Sequence, residues 1–375
     1  MLGLSPTAAF FRVSLPMARP AIAAGTALAL METLADFGTV SYFGVQTFTT
    51  GIFRAWLSMG ERASAAKLSV ILLAFVAVVV ILERAARRRA RFAPRAGATR
   101  RRRVLRGPRA GVAIAVCAVP LAAGFVVPAV LLLRMSLAGG DASFGPRFAR
   151  LAIHSATLAV VTALLAMALA VVLAYAARIS RSRAAAGANT VVGLGYAIPG
   201  AVVAIGVLIP LTRLDHLLAG AAANFGISIG LVFTGGIAAL VYAYLVRFLA
   251  VALQSVEAGL ARITPNMEDA ARSLGAGAGA TLLRVHAPLL RSSVVTAGLL
   301  VFVDVMKELP ATFVMRPFDF DTLAVQAYNL ASDERLAEAS TASLAIVAVG
   351  LIPVVLASRR LLASDRAPQR QPARS

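Results

Sequence analysis

Long apolar runs, separated by short polar or arginine-rich segments, set the pattern of this chain. Eight runs, at about 20–42, 65–82, 111–133, 155–177, 188–211, 227–249, 293–315 and 339–357, are long enough to cross a bilayer as helices. In lipid every backbone N–H and C=O must be satisfied internally, which favours helices. A membrane barrel needs alternating apolar and polar residues, and these runs do not alternate. The pattern predicts an all-α polytopic membrane protein of about eight spans. Composition fits: of 375 residues, 59% are hydrophobic and 14% charged, with mean hydropathy +0.82, more apolar than a soluble domain.

The formal net charge of +20 raises the question of nucleic acid, and its placement answers against it. If the loop 268–288 is cytoplasmic, the segments 1–19, 83–110, 178–187, 250–291 and 358–375 face the same side and hold 26 arginines. The opposite segments, 43–64, 134–154, 212–226 and 316–338, hold 8. That asymmetry is the positive-inside signature, so Arg178, Arg181 and Arg183 read as topology markers. Cys117 is alone within a predicted span, and His154, His216 and His286 are scattered. No metal site of His/Cys spacing is expected.

An internal repeat organises the chain. Leu2, Gly3, Ala8, Arg12, Val13, Pro16 and Arg19 recur as Leu274, Gly275, Ala280, Arg284, Val285, Pro288 and Arg291, every pair 272 residues apart. At the same offset Glu32 meets Asp304, Asp36 meets Glu308 and Trp56 meets Tyr328. Residues 1–83 thus resemble the last third of a unit, with a partial loop and two spans. Residues 111–362 form a whole six-span unit whose loop lies at 258–290. Between them 84–110 is a basic cytoplasmic linker suited to touch anionic lipid, and 363–375 is a polar tail expected to be disordered. Met1 falls inside the repeated motif, so an N-terminally truncated first unit is expected.

The loop carries a family resemblance. Asp269-Ala270-Ala271, then Gly275, Val285 and Ala287-Pro288 is similar to the signature loop of ABC importer permeases, with Asp269 for Glu (Glu268 stands before it) and Ala287 for Leu. The N-terminal copy keeps Gly3, Val13 and Leu15-Pro16. The segments Met31–Gly44, Gly195–Gly200, Asp304–Thr312 and Arg316–Ala324 resemble fused, two-unit permeases of the iron(III)-transport type. The resemblance implies the type I importer transmembrane fold in the inner membrane, with both coupling loops and the C-terminus cytoplasmic. It implies that Glu268, Asp269, Ala270, Ala271, Gly275 and Pro288, with Gly3 and Pro16, couple to a dimeric ATPase subunit. The ATPase would hold ATP–Mg, because this chain has no Gly-x-x-x-x-Gly-Lys-Ser/Thr sequence, and it would itself be no enzyme. Cargo would arrive on a periplasmic or lipid-anchored solute-binding protein, which the outer loop 316–338 could meet.

Charges inside spans cost roughly 2.5–3.5 kcal/mol each near the centre on insertion scales. At i,i+4 spacing Asp304 and Glu308 would share a helix face, with Lys307 beside them, and Glu32 and Asp36 repeat that spacing. Two readings stand: these five residues line a hydrated translocation path, or they pair structurally. Pro199 and Gly200 sit within a predicted span and would kink it. The expected function is import of iron(III). Thiamine or phosphonate is the alternative cargo, and an ion-gradient-driven transporter or an inactive truncated permease the alternative class.

Overall fold

The computed structural model describes residues 5–88, 105–139, 145–180 and 182–366, and every regular element among them is helical. Gly3, most of the basic linker and residues 367–375 of the expected tail lie outside the described residues. In chain order the helices are α1 (Thr7–Ala35), α2 (Gly38–Tyr42), α3 (Phe48–Phe53) and α4 (Arg62–Arg88). Then come α5 (Pro108–Gly139), α6 (Pro146–Ser180), α7 (Arg183–Val192), α8 (Gly200–Ala223) and α9 (Ala238–Leu260). The last are α10 (Pro265–Ser273), α11 (Ala278–Met306), α12 (Pro310–Met315), α13 (Leu323–Ser332) and α14 (Leu336–Arg366). Among the described residues eight helices, α1, α4, α5, α6, α8, α9, α11 and α14, are long and apolar enough to cross a membrane.

The number of spans agrees with the hydropathy pattern, but their limits do not. α1 and α11 begin and end earlier than the runs 20–42 and 293–315, because the polar stretch before each run is already helical and the backbone breaks before each run is finished. The run 188–211 is two helices, with Gly195–Ala197 forming a single tight turn between them. Pro199 therefore kinks no helix: it stands just before α8, where its carbonyl accepts the amide of Val203. The start of the run 227–249 is irregular, and α9 begins only at Ala238. α14 continues helically to Arg366, past the point where the tail was expected to begin.

The repeat is visible in the backbone. Phe10–Ser14 and Leu282–His286, 272 residues apart, are both widened, π-helical turns. In each the amide four residues beyond the usual partner reaches one residue further back, Leu15 to Phe10 and Ala287 to Leu282. Pro16 and Pro288 follow directly. A proline offers no N–H and crowds the carbonyl four residues back, and a wider turn relieves both.

The chain folds as two compact units, Met1–Arg134 with Ala197–Gly206, and Met135–Tyr196 with Val207–Ser375. The division falls within α5 and not in the linker 84–110. In the first unit α1 and α3 pack on α4, with Phe37 stacked on Phe53 at 3.7 Å between ring centroids. In the second, α6, α9 and α11 pack against one another as a three-helix core. Its contact faces are small: Ala159, Ala163, Ala166, Ala170 and Ala174 on α6, Ala239, Ala243, Ala250 and Ala252 on α9, and Ala297 on α11 are buried. Between apolar helices in lipid, attraction comes mainly from close packing, which small residues permit. Gly259 of α9 lies against Ser293, and Gly298 of α11 lies against Met167.

Glycine is most constrained at Gly195, where an added Cβ would overlap the Val246 carbonyl oxygen. At Gly298 it would meet only the Met167 thioether, which can rotate away. Gly195→Ala is therefore expected to cost roughly 1–3 kcal/mol, as overpacking against rigid atoms does, and Gly298→Ala less. Thermal unfolding of the purified protein in detergent checks this; the reverse order contradicts it.

Candidate coupling loop and intramembrane charges

α10 carries the loop's polar residues. Thr264, in extended conformation, precedes it and Pro265 opens it, a position where a missing N–H costs nothing. The helix stops by a left-handed cap: Gly275 has φ +82°, its amide donates to the Arg272 carbonyl, and Ala276 donates to the Ala271 carbonyl. Only glycine adopts that conformation cheaply, which fixes the length of the helix. Ala270 and Gly275 are exposed, as are Met267 and Leu274, the latter at 87%.

The two acidic residues of α10 point in different directions. Asp269 pairs with Arg272 at 2.7 Å on the surface, the side chains 65% and 61% exposed. Glu268 turns back to the core, its Oε1 2.5 Å from Arg178 Nε and 3.2 Å from His286 Nε2. The same Arg178 donates to the Leu260 carbonyl at 2.5 Å and the Ile263 carbonyl at 2.7 Å. One turn earlier on α6, the Tyr175 hydroxyl donates to the Ala278 carbonyl at 2.7 Å. Pro288 sits exposed in α11, after its wide turn, and Pro16 stands half-buried at the same place in α1.

Asp304 and Glu308 do not share a continuous helix face, contrary to the spacing argument. α11 ends at Met306, and Pro310, with no amide to extend the ladder, starts α12. Glu308 lies in the break, and its side chain, 2% exposed, is fully engaged. Oε1 accepts from Arg247 Nη1 and the Ala311 amide, both at 2.9 Å. Oε2 accepts from the Thr312 amide at 3.0 Å and the Thr312 hydroxyl at 2.7 Å. The Tyr244 hydroxyl lies 2.5 Å from that of Thr312. Asp304 pairs with Lys307 at 3.0 Å, the lysine half exposed.

The first unit has the same break. α1 ends at Ala35, so Glu32 and Asp36 do not share one helix either. Asp36 is extended, and its Oδ1 accepts the Thr39 amide at 3.3 Å, as Glu308 accepts that of Ala311 272 residues later. α2 and α12 both start at that offset, at Gly38 and Pro310.

Sequence reasoning missed several of these residues. Arg178 served only as a topology marker, yet it holds the loop. Arg247 lay inside an apolar run and was passed over, although a lone charge there is itself a signal. Asp215, placed in an outer loop, is buried near the end of α8 and accepts the Phe233 amide at 2.9 Å and the Thr234 amide at 2.8 Å. The outer segment 316–338 is mostly α13, ahead of which His154 stacks on Phe320 at 4.1 Å and Arg316 pairs with Asp321. Among the described residues no three His, Cys, Asp or Glu side chains converge.

Two substitutions test this geometry. Arg247→Ala strands a buried carboxylate and is expected to cost roughly 3–5 kcal/mol, whereas Lys307→Ala removes a half-exposed pair worth about 1 kcal/mol or less; equal losses of thermal stability contradict the burial argument. Gly275→Ala forces an L-residue into left-handed backbone, costing roughly 1–2 kcal/mol. Hydrogen exchange at the amides of 275 and 276 should quicken, while Gly277→Ala, at ordinary φ −70°, leaves it unchanged.

No protein-family model matches the chain. The Fe(3+)-transport system permease protein FbpB 2 of Haemophilus influenzae is 27% identical over 371 residues, covering 95% of this chain and 68% of the relative. A permease protein of Salmonella typhimurium named for 2-aminoethylphosphonate transport, PhnV, is 33% identical over 110 residues, 29% of this chain and 42% of the relative. Two crystal structures of a bacterial alginate ABC transporter share the fold. One, in complex with an alginate pentasaccharide-bound periplasmic protein, has TM-score 0.51 and 16% identity, covering 68% of this chain and 95% of that one. The other has TM-score 0.53 and 15% identity, covering 69% and 96%. With a relative aligned along nearly its whole length, a shared transporter fold and eight apolar helices, the chain belongs among the ABC importer permeases, multi-pass membrane subunits of transport rather than enzymes.

Proposed function

We propose that this permease carries iron(III) across the inner membrane, driven by a separate ATPase and supplied by a solute-binding protein. The observation that carries the cargo assignment is the match over 95% of the chain to a permease named for Fe(3+) transport. The phosphonate-named relative matches only 110 residues, and the alginate transporters match in fold alone. ATP–Mg binds the partner ATPase, since this sequence has no phosphate-binding loop of its own. That ATPase docks on the exposed side of α10, where Asp269, Ala270, Arg272 and Leu274 are available. Both loop copies lie on the cytoplasmic side in this reading.

The intramembrane carboxylates divide in role. Glu308, with four donors on its two oxygens, has no capacity left for cargo; it and Asp36 hold the helix breaks. Asp304, Lys307 and Glu32 are the charges left to line a hydrated route. Duplication of the coupling loop favours this reading over a gradient-driven carrier, which has no motor to grip.

Proteoliposomes containing the chain, its co-expressed ATPase and the loaded binding protein should accumulate radiolabelled iron(III) only with ATP inside. Accumulation of phosphonate or thiamine in place of iron would change the cargo. Uptake driven by an ion gradient with no ATPase present would overturn the importer reading.

A further inference from the structure

The chain itself links α10 to only two core helices, α9 before it and α11 after it. The end of α6 is remote in sequence, yet it touches every part of the loop. Arg178 takes the carbonyls of Leu260 and Ile263 at the exit from α9, and its Nε takes Glu268 within α10. Tyr175, one turn before, takes the carbonyl of Ala278 at the start of α11. His286 is fully buried, its ring 5.2 Å from that of Tyr175 and its Nε2 3.2 Å from Glu268.

We propose that Tyr175 and Arg178 are positioning residues that bind the coupling loop to α6, so that a push on α10 moves α6, α9 and α11 as one body. This rests on the functional reading above, in that the push comes from an ATPase. The chemistry suits the task. A planar guanidinium gives several donors in a fixed fork, and here it spans two carbonyls and a carboxylate at once. Those carbonyls are the ones a helix end leaves without an intrahelical partner, so the link sits where the backbone most needs a donor. A lysine would supply the charge as a single point and could not bridge all three acceptors.

The three-helix core explains why one contact suffices. α6 packs along both α9 and α11 with small-residue faces, and such interfaces shift as rigid bodies rather than deform. With Arg178 in place, loop and core have one position relative to each other. Without it, α10 can swing about its two covalent ends while the core stays still. The ATPase would then still bind the exposed Asp269–Arg272 side, but its stroke would be lost in the loop.

The test uses the whole chain assembled with its co-expressed ATPase in nanodiscs, and the binding protein. Arg178→Gln and Glu268→Ala should keep ATPase association and basal ATP hydrolysis but lose at least about tenfold of the hydrolysis stimulated by the loaded binding protein. Arg178→Lys should recover only part. In a Cys117→Ala background, Arg178→Cys with Glu268→Cys should behave like the single variants until a short bifunctional thiol reagent joins the two positions, and then regain stimulation. Wild-type stimulation in Arg178→Gln, or no recovery after complete crosslinking, overturns the proposal. Hydrogen exchange in the permease alone reads the clamp without any ATPase: residues 266–277 should exchange at least about tenfold faster in Arg178→Gln, and unchanged exchange also overturns it. If the wild-type chain binds no ATPase, the functional reading fails, and the exchange result still decides the clamp.

Discussion

A helix interrupted in apolar surroundings frees backbone amides and carbonyls that no solvent can satisfy, and this constraint accounts for where the chain keeps its charges. Four interruptions carry a charged side chain bonded to the freed groups. Asp36 takes the amide after the end of α1, and Glu308 the two amides after the end of α11. Asp215 takes two amides before α9, and Arg178 takes two carbonyls at its end. An unpaired buried polar group costs a few kcal/mol, so each of these charges answers a larger penalty than the one it brings.

The sequence repeat is consequently a repeat of mechanics. Each copy gives a helix that opens on a wide turn ahead of a proline and closes on a carboxylate-held break, followed by a short helix at the matched position. The copies are unequal in what surrounds the break. Glu308 has Arg247 and the Thr312–Tyr244 hydroxyl pair, so its charge is compensated within its own unit. The repeat thus reports which features serve the helix itself and which serve its neighbours.

Much of this was legible in the residues. Eight apolar runs gave eight long helices, and the loop pattern around Gly275 marked a short helix that a glycine ends. Helix limits were not legible, because hydropathy senses side chains whereas a break is a loss of backbone hydrogen bonds. The stretch 278–292 is polar in places yet helical, and 307–309 lies in an apolar run yet is broken. The roles of Arg178 and Arg247 were hidden for another reason. Their partners, Glu268 and Glu308, are 90 and 61 residues away, and no local pattern joins them. The side on which each acidic residue of α10 faces was likewise a matter of packing, settled by Arg178 and His286 rather than by the helix.

The account's central claim is that the exposed side of α10 is the place where an external motor acts. Leu274→Cys in a Cys117→Ala background, fitted with a photoreactive thiol reagent in transport-competent membranes, measures this most directly. The ATPase subunit should be the crosslinked product from Leu274, and should be absent from the same reagent at Phe318, beyond the far end of α11. Active complexes that yield no ATPase adduct from Leu274 would contradict the account.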